Sequence, residues 1–179
     1  ADPTGDPPAA LIALGAEVEI ASPAGRRRLP VADLFVDYME TVLGPNELLT
    51  AIHLPAPAPR FGSAYLKHRI RGVDTALVGV GVGLMLADNG SCESARIGLV
   101  GAGTTPLRAE RAEAALVGHL LTDETIAAAA YAASEECEPL SDTEGSEWYR
   151  REMVAVFVRR ATGLALERAA ATQGDPRNG

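Results

Sequence analysis

The run Leu77–Met85, LVGVGVGLM, restricts the possible folds more than any other stretch of the chain. In an extended strand successive side chains point to opposite faces. Ala76, Val78, Val80, Val82, Leu84 and Leu86 then make one face, and Leu77, Gly79, Gly81, Gly83 and Met85 the other. This predicts a central strand buried on both sides, with a shallow glycine groove that admits a helix at close range. Immediately upstream, Tyr65, Lys67, Arg69 and Arg71 alternate with Ala64, Leu66, His68 and Ile70, and Gly72 and Asp74 mark a turn. An aromatic and three cations on one strand face fit the wall of a binding site for something flat and anionic. They also fit an edge strand made polar against aggregation.

The glycines themselves do not make a dinucleotide loop. GVGVG lacks the GxGxxG spacing and lies inside a strand rather than between a strand and a helix, so they read as packing glycines. After the turn Asp88–Ser91, Ser94 to Val100 reads as a third strand of an antiparallel meander. Gly101 and Gly103 allow a sharp exit, and Pro106 suits the start of a helix over Leu107 to Leu116. The same GAGTTPLR stretch is compatible with an anion-binding turn at a helix N-terminus. Thr122 suits an N-cap for a helix through Glu136, and Ser146 for a last helix with apolar face Tyr149, Met153, Val156, Phe157, Ala161 and Leu164. Arg150, Arg151, Arg159 and Arg160 fall mostly off that face. Strands followed by helices predict an α+β fold with the helices on one face of the sheet. The segment Ser141–Arg151 contains no His, which argues for caps and ion pairs rather than a catalytic triad.

The first third is less complete. Asp6 suits an N-cap, Pro7 the first helical position and Gly15 the stop, giving a helix of about two turns. Ala16 to Ile20 and Arg26 to Leu29 read as a hairpin, residues 31–40 as a loop or short helical turn, and Leu48 to Leu54 as a strand. These elements bury too little alone and read as the end of a domain. The stiff connector Pro55–Gly62 reads as a boundary, with residues 60–170 expected to fold independently and to resist proteolysis longest.

A formal charge of −8, with no extended Lys/Arg run, argues against nucleic-acid binding. Cys92 and Cys137 stand far apart without a CxxC motif, and His53, His68 and His119 show no metal-ligand spacing. No apolar run reaches bilayer-spanning length and no secretory signal pattern is present, so a reduced cytoplasmic protein is the expectation.

Several motifs occur in a specific order: ADPxxDxPxxLxAL from Ala1, Leu48–Leu49 after GPNE, YxKxxxRxxD over Tyr65–Asp74, LVGVGVGL, GAGTTPLRAERAEAALVG and PLSDTEGSEWYRR. Together they resemble the C-terminal part of the FAD-binding (medium) subunit of molybdenum hydroxylases, the carbon monoxide dehydrogenase and xanthine dehydrogenase group, over Ala1 to about Ala170. The resemblance implies a partial FAD-binding α/β subdomain over 1–58. A three-stranded antiparallel sheet packed with a C-terminal helical bundle would follow over 59–171, and a disordered tail over 172–179. It implies a flavin that passes electrons from iron–sulfur clusters to an acceptor, beside an iron–sulfur subunit and a molybdopterin subunit. By position, Asp6 matches an FAD-contacting acid, and Leu43 and Leu49 match apolar flavin contacts. Tyr65 matches an aromatic beside the isoalloxazine, Lys67 the nearby cation, and Arg71 and Asp74 further residues around the ring. The family's glycine-rich pyrophosphate loops precede the region matched, so one wall of an FAD site is expected here. A flavin-free docking module of the same complex is the alternative.

Overall fold

The computed structural model describes residues 2–70 and 75–172. The main sheet is built from β6 (Phe61–His68), β7 (Val78–Leu86), β8 (Cys92–Val100) and β9 (Leu107–Arg108), antiparallel in the order β6-β7-β8-β9. β7 lies second in it, and Val78, Val80, Val82 and Leu84 are fully buried, as their alternation predicts.

The fourth strand corrects the three-stranded expectation. Leu107 and Arg108 pair with Leu99 and Gly98, and the helix expected from Leu107 begins at Glu110. The reason is the open edge of β8, whose backbone groups need partners. Leu107–Arg108 supplies some. The buried Glu113 carboxylate supplies another by accepting the Ile97 N–H at 2.9 Å while the Arg108 guanidinium grips it. Pro106 therefore precedes a strand and does not start a helix.

Three helices cover one face of this sheet: α2 (Glu110–Leu116), α3 (Asp123–Glu136) and α4 (Glu147–Ala171). Their core joins Val80, Val82, Leu84, Ile97 and Leu99 to Leu116, Val154 and Val158. Each fully buried Val or Leu contributes about 1.5–3 kcal/mol. The opposite face is covered by α1 (Asp6–Ala13), which lies along the glycines of β7 and β8. Helices thus occupy both faces, not one, because the groove on the glycine face is itself apolar and had to be filled.

The buried stripe of α4 also differs from expectation. It runs Arg150, Val154, Val158, Ala161, Thr162, Ala165 and Ala169, while Tyr149, Met153, Val156, Phe157 and Leu164 flank it half-buried. The helix crosses β6 so closely that a Cβ on Gly62 would collide with the Ala165 carbonyl and the Ala169 amide. At that separation only small residues fit the contact line, and the large ones close its margins. The two helix starts conform to their sequence. Thr122 Oγ1 accepts the Thr125 N–H and Ser146 Oγ the Tyr149 N–H, each at 3.2 Å. Ser146→Ala should therefore lower stability by about 1 kcal/mol in urea denaturation. An unchanged midpoint would show that the cap contributes nothing.

In the first third, β1 (Glu17–Ser22), β2 (Gly25–Pro30) and β5 (Leu48–His53) form a second antiparallel sheet in the order β2-β1-β5. Residues 31–40 form a 3₁₀ turn, Val31–Leu34, and the start of a small hairpin of β3 (Phe35–Asp37) and β4 (Glu40–Thr41). Gly15, at φ 66°, turns the chain out of α1 into β1. The expected tail beyond Thr172 lies outside the described residues.

Candidate functional site

The site begins with the seating of α1. A Cβ on Gly81 or Gly98 would collide with the Ala9 carbonyl, and one on Gly83 with that of Ala13, so the helix backbone rests directly on the sheet. The segment before it is tied down as well. Ala76 N–H donates to Thr4 O at 3.3 Å and Gly101 N–H to Pro3 O at 2.9 Å. Gly5 occupies the N-cap and Asp6 is the first helical residue, so Asp6 is not the cap. Pro7 follows it and has no N–H to be capped, which leaves the carboxylate available for long-range partners.

Those partners are on β6. Tyr65 Oη donates to Asp6 Oδ1 at 2.8 Å, and Lys67 Nζ to Asp6 Oδ2 at 2.6 Å. Alternation places both side chains on one strand face, where the carboxylate spans them. Gly79 gives the phenol room, since a Cβ there would lie 2.5 Å from the hydroxyl. Burial, with the adjacent Asp6 carboxylate as a second cause, raises the Tyr65 pKa far above its ordinary value. Tyr65 is therefore a fixed neutral donor and not a base. The ion pair is partly open to solvent, with Asp6 39% and Lys67 22% exposed. Screening holds such a pair to about 1 kcal/mol.

On the other side of the α1 N-terminus lies an apolar groove of about 290 Å³ lined by Gly5, Pro7, Leu11, Phe35, Leu49 and Ile52, among others. Leu49 thus lies beside the helix turn that carries Asp6. Leu43 does not line the groove and packs half-buried against the cluster of Ile12, Val18 and Ile20. The structure brings Asp6, Tyr65 and Lys67 into one hydrogen-bonded set, with Leu49 nearby. Arg71 and Asp74 lie outside the described residues.

Two groups were not legible as functional in the sequence. The mutual bonding of Asp6 to β6 has no local signal, since the partners are 59 and 61 residues apart. Arg150, expected off the buried face, is only 4% exposed and donates to the Leu77 carbonyl and to Asp142. It holds Leu77, the residue immediately before β7. Among the described residues no cluster of three or more His, Cys, Asp or Glu could hold a metal ion. Cys92 and Cys137 are buried free thiols, and burial pushes the Cys92 thiol up to about 11.

Residues 63–165 match the CO dehydrogenase flavoprotein C-terminal domain. The chain belongs to that family. Residues 1–57 match the FAD binding domain in molybdopterin dehydrogenase. The carbon monoxide dehydrogenase medium chain of Afipia carboxidovorans is 38% identical over 170 residues, covering 94% of this chain and 58% of its own length. The xanthine dehydrogenase FAD-binding subunit of Escherichia coli O157:H7 is 27% identical over 156 residues, covering 86% of this chain and 53% of its own length. Among solved structures, carbon monoxide dehydrogenase from Hydrogenophaga pseudoflava superposes with a TM-score of 0.89 at 38% identity, covering 93% of this chain and 58% of that one. This member of the family therefore spans little more than half the length of the relatives it matches. Its mixed architecture, with α1 on one face of the antiparallel sheet and α2–α4 on the other, is that of the medium subunit. No helix of the described residues is long and apolar enough to cross a membrane.

Proposed function

We propose that this chain forms part of the FAD-carrying subunit of a molybdenum hydroxylase, working beside an iron–sulfur subunit and a molybdopterin subunit. The observation that carries the reading is the Asp6 carboxylate holding Tyr65 and Lys67 in register at 2.8 and 2.6 Å, next to the groove containing Leu49. With the phenol's one O–H given to Asp6, the carboxylate and the phenol oxygen remain as acceptors and the Lys67 ammonium as a donor, groups of the kind a flavin's pyrimidine edge requires. Bound FAD would supply two-electron and one-electron redox chemistry, joining iron–sulfur clusters to an acceptor.

Within this site Tyr65 orients by donating, Lys67 places positive charge where negative charge accumulates on reduction, and Asp6 fixes both and offsets part of that charge. Leu49 and the prolines of α1 line the adjoining groove with apolar surface. One wall of the FAD site lies in this chain in our reading. The pyrophosphate grip belongs to the part of the subunit that the relatives possess beyond the match. The same reading divides the chain at residue 58, near the junction of the two family matches, and leaves 59–171 as the C-terminal domain. A cytoplasmic location accords with its two free thiols.

The test is a pair of substitutions of opposite sign. In a completed, flavin-loaded subunit, Lys67→Met removes a positive charge and exposes the Asp6 charge, so the reduction potential should fall. Asp6→Asn relieves the offset and should raise it. A difference of about 1 kcal/mol, usual for a partly solvated charge, corresponds to about 20 mV over two electrons. Spectroelectrochemistry showing neither shift while FAD stays bound would make the pair a structural clasp. A completed subunit that purifies without flavin absorbance would favour a docking module.

A further inference from the structure

The loop that leads into α4 is exposed yet tightly bonded. Asp142 Oδ1 accepts the N–H groups of Glu144 and Gly145 at 2.9 and 3.0 Å, and the Asp142 N–H donates to the Gly145 carbonyl at 3.1 Å. Its other carboxylate oxygen takes the guanidinium of buried Arg150. Ser141 Oγ accepts the Glu147 N–H at 2.8 Å, beside the Ser146 cap. Gly145 rests on Leu77, whose side chain would lie 3.1 Å from a Cβ at that position. Side-chain bonds of this kind hold a loop in a single conformation.

What this rigid loop displays is apolar. Leu140 is 60% exposed and Trp148, the only tryptophan of the chain, 69%. The Ser141–Glu147 bond joins their sequence neighbours, so both stand at one corner of the molecule. Tryptophan is among the residues most enriched at binding hot spots. Acids surround the pair: Glu138, Asp142, Glu144 and Glu147 are all exposed. The cations of the segment are already engaged, Arg150 with Asp142 and Arg151 with Glu147. The carboxylates of Glu138 and Glu144 have no partner among the described residues.

Charge and size restrict what can cover this corner. A second copy would set the same four acids against these in a two-fold contact, where like charges repel. A standard interface uses about 20–30 residues a side, whereas residues 138–148 are eleven. A brief encounter with a protein of opposite charge meets both restrictions.

We propose that the Leu140–Trp148 corner docks a transient partner protein whose contact surface is apolar at its centre and rimmed by lysine or arginine. Docking buries Leu140 and Trp148, and Glu138 and Glu144 steer the approach. The partner would stand at the end of the main sheet where α1 begins. There Glu138 N–H donates to the Ala102 carbonyl, and Gly101 N–H to the Pro3 carbonyl. The inference rests on this loop and not on flavin binding.

The experiment titrates the isotope-labelled 179-residue chain with reduced cytochrome c, a basic protein whose haem edge is ringed by lysines, and follows the amide resonances and the single indole N–H by NMR. Resonances of 138–148, the Trp148 indole among them, should shift at about 0.01 M ionic strength. The shifts should fade at about 0.15 M, as the Debye length drops from about 30 to about 8 Å. Leu140→Ser should leave the melting temperature unchanged and weaken binding about tenfold. Glu138→Gln combined with Glu144→Gln should weaken it by about the same factor at low salt. Asp123→Asn with Glu124→Gln removes equal charge at the far end of α3, about 20 Å away, and should leave binding nearly unchanged. Equal weakening by the two pairs would mean attraction to the acidic chain as a whole and would overturn the proposal. So would an indole that does not move, or a dimer of the chain alone that Leu140→Ser dissociates. Finally, Trp148 should stay open to acrylamide quenching in a complex with the iron–sulfur and molybdopterin subunits. Shielding there would assign the corner to a permanent interface and overturn the proposal as well.

Discussion

Gly81→Val is expected to destabilise the protein by about 3 kcal/mol, the upper part of the usual range for overpacking. In a chain of this size that corresponds to a fall in melting temperature of about 6–12 °C. The collision is with backbone: a Cβ at Gly81 meets the Ala9 carbonyl oxygen and carbon, and the Ala13 side chain lies just beyond. No rotamer change relieves it. The remaining escape is for α1 to lift from the sheet, which also pulls Asp6 away from Tyr65 and Lys67. Burial and the Asp6 carboxylate both raise the Tyr65 pKa, so its ultraviolet titration should move down towards the ordinary phenol value in the variant. Gly163 provides the control. Nothing lies within 4 Å of a Cβ there, so Gly163→Ala should stabilise α4 by about 0.5–1 kcal/mol. If both variants melt together, the glycine groove is not what positions the helix.

Arg150→Met should cost about 2–4 kcal/mol at neutral pH. The side chains are similar in length, so the loss is chemical rather than volumetric. The Leu77 carbonyl loses the guanidinium that bonds it at 2.6 Å, and the Asp142 carboxylate loses its cation. A buried carbonyl left without a partner costs about 1–3 kcal/mol. The Asp142 contribution is reduced by solvent, because that side chain is 51% exposed. It also depends on pH in a defined direction. The Arg150 guanidinium holds the Asp142 carboxyl below its usual range, with backbone N–H groups of Glu144 and Gly145 assisting. A carboxyl depressed in the native state stabilises it above the unfolded pKa of about 3.9, and this stabilisation is lost as pH falls through the native value. The stability gap between wild type and variant should therefore narrow below about pH 4, leaving the share due to Leu77. Urea titrations at pH 7 and pH 3 that give the same gap would assign the whole effect to the carbonyl.

What could be read in the sequence was what short-range periodicity encodes. LVGVGVGLM gave a buried strand with a groove because both faces are written into consecutive residues. Thr122 and Ser146 gave helix starts because a cap bonds three residues ahead. The errors fall where a distant element decides. Leu107–Arg108 is a strand because β8 has an edge to fill, and two residues carry no period of their own. The α4 stripe was assigned to its bulkiest residues, whereas the nearness of Gly62 selected alanines. Arg150 looked like a surface cation because its partners, Leu77 O and Asp142, come from other parts of the chain. Of the residues the resemblance assigns to the flavin, Asp6, Tyr65 and Lys67 form one hydrogen-bonded set, although no spacing rule joins a helix start to a strand so far along the sequence. Leu43 packs half-buried against the core of the small sheet.

The placement of α1 bears on how this chain can be cut and recombined. Along the chain the helix belongs with residues 1–57, yet Ala9 and Ala13 close the glycine face of a sheet made from residues beyond 60, while Ile12 packs with the small sheet. A crossover at the proline connector would transfer the C-terminal domain without the helix that fits its groove. Recombinants between relatives should therefore survive when α1 travels with β7 and β8, or when both parents carry glycine at 81, 83 and 98. The practical seam of the molecule runs between α1 and β1, at Gly15.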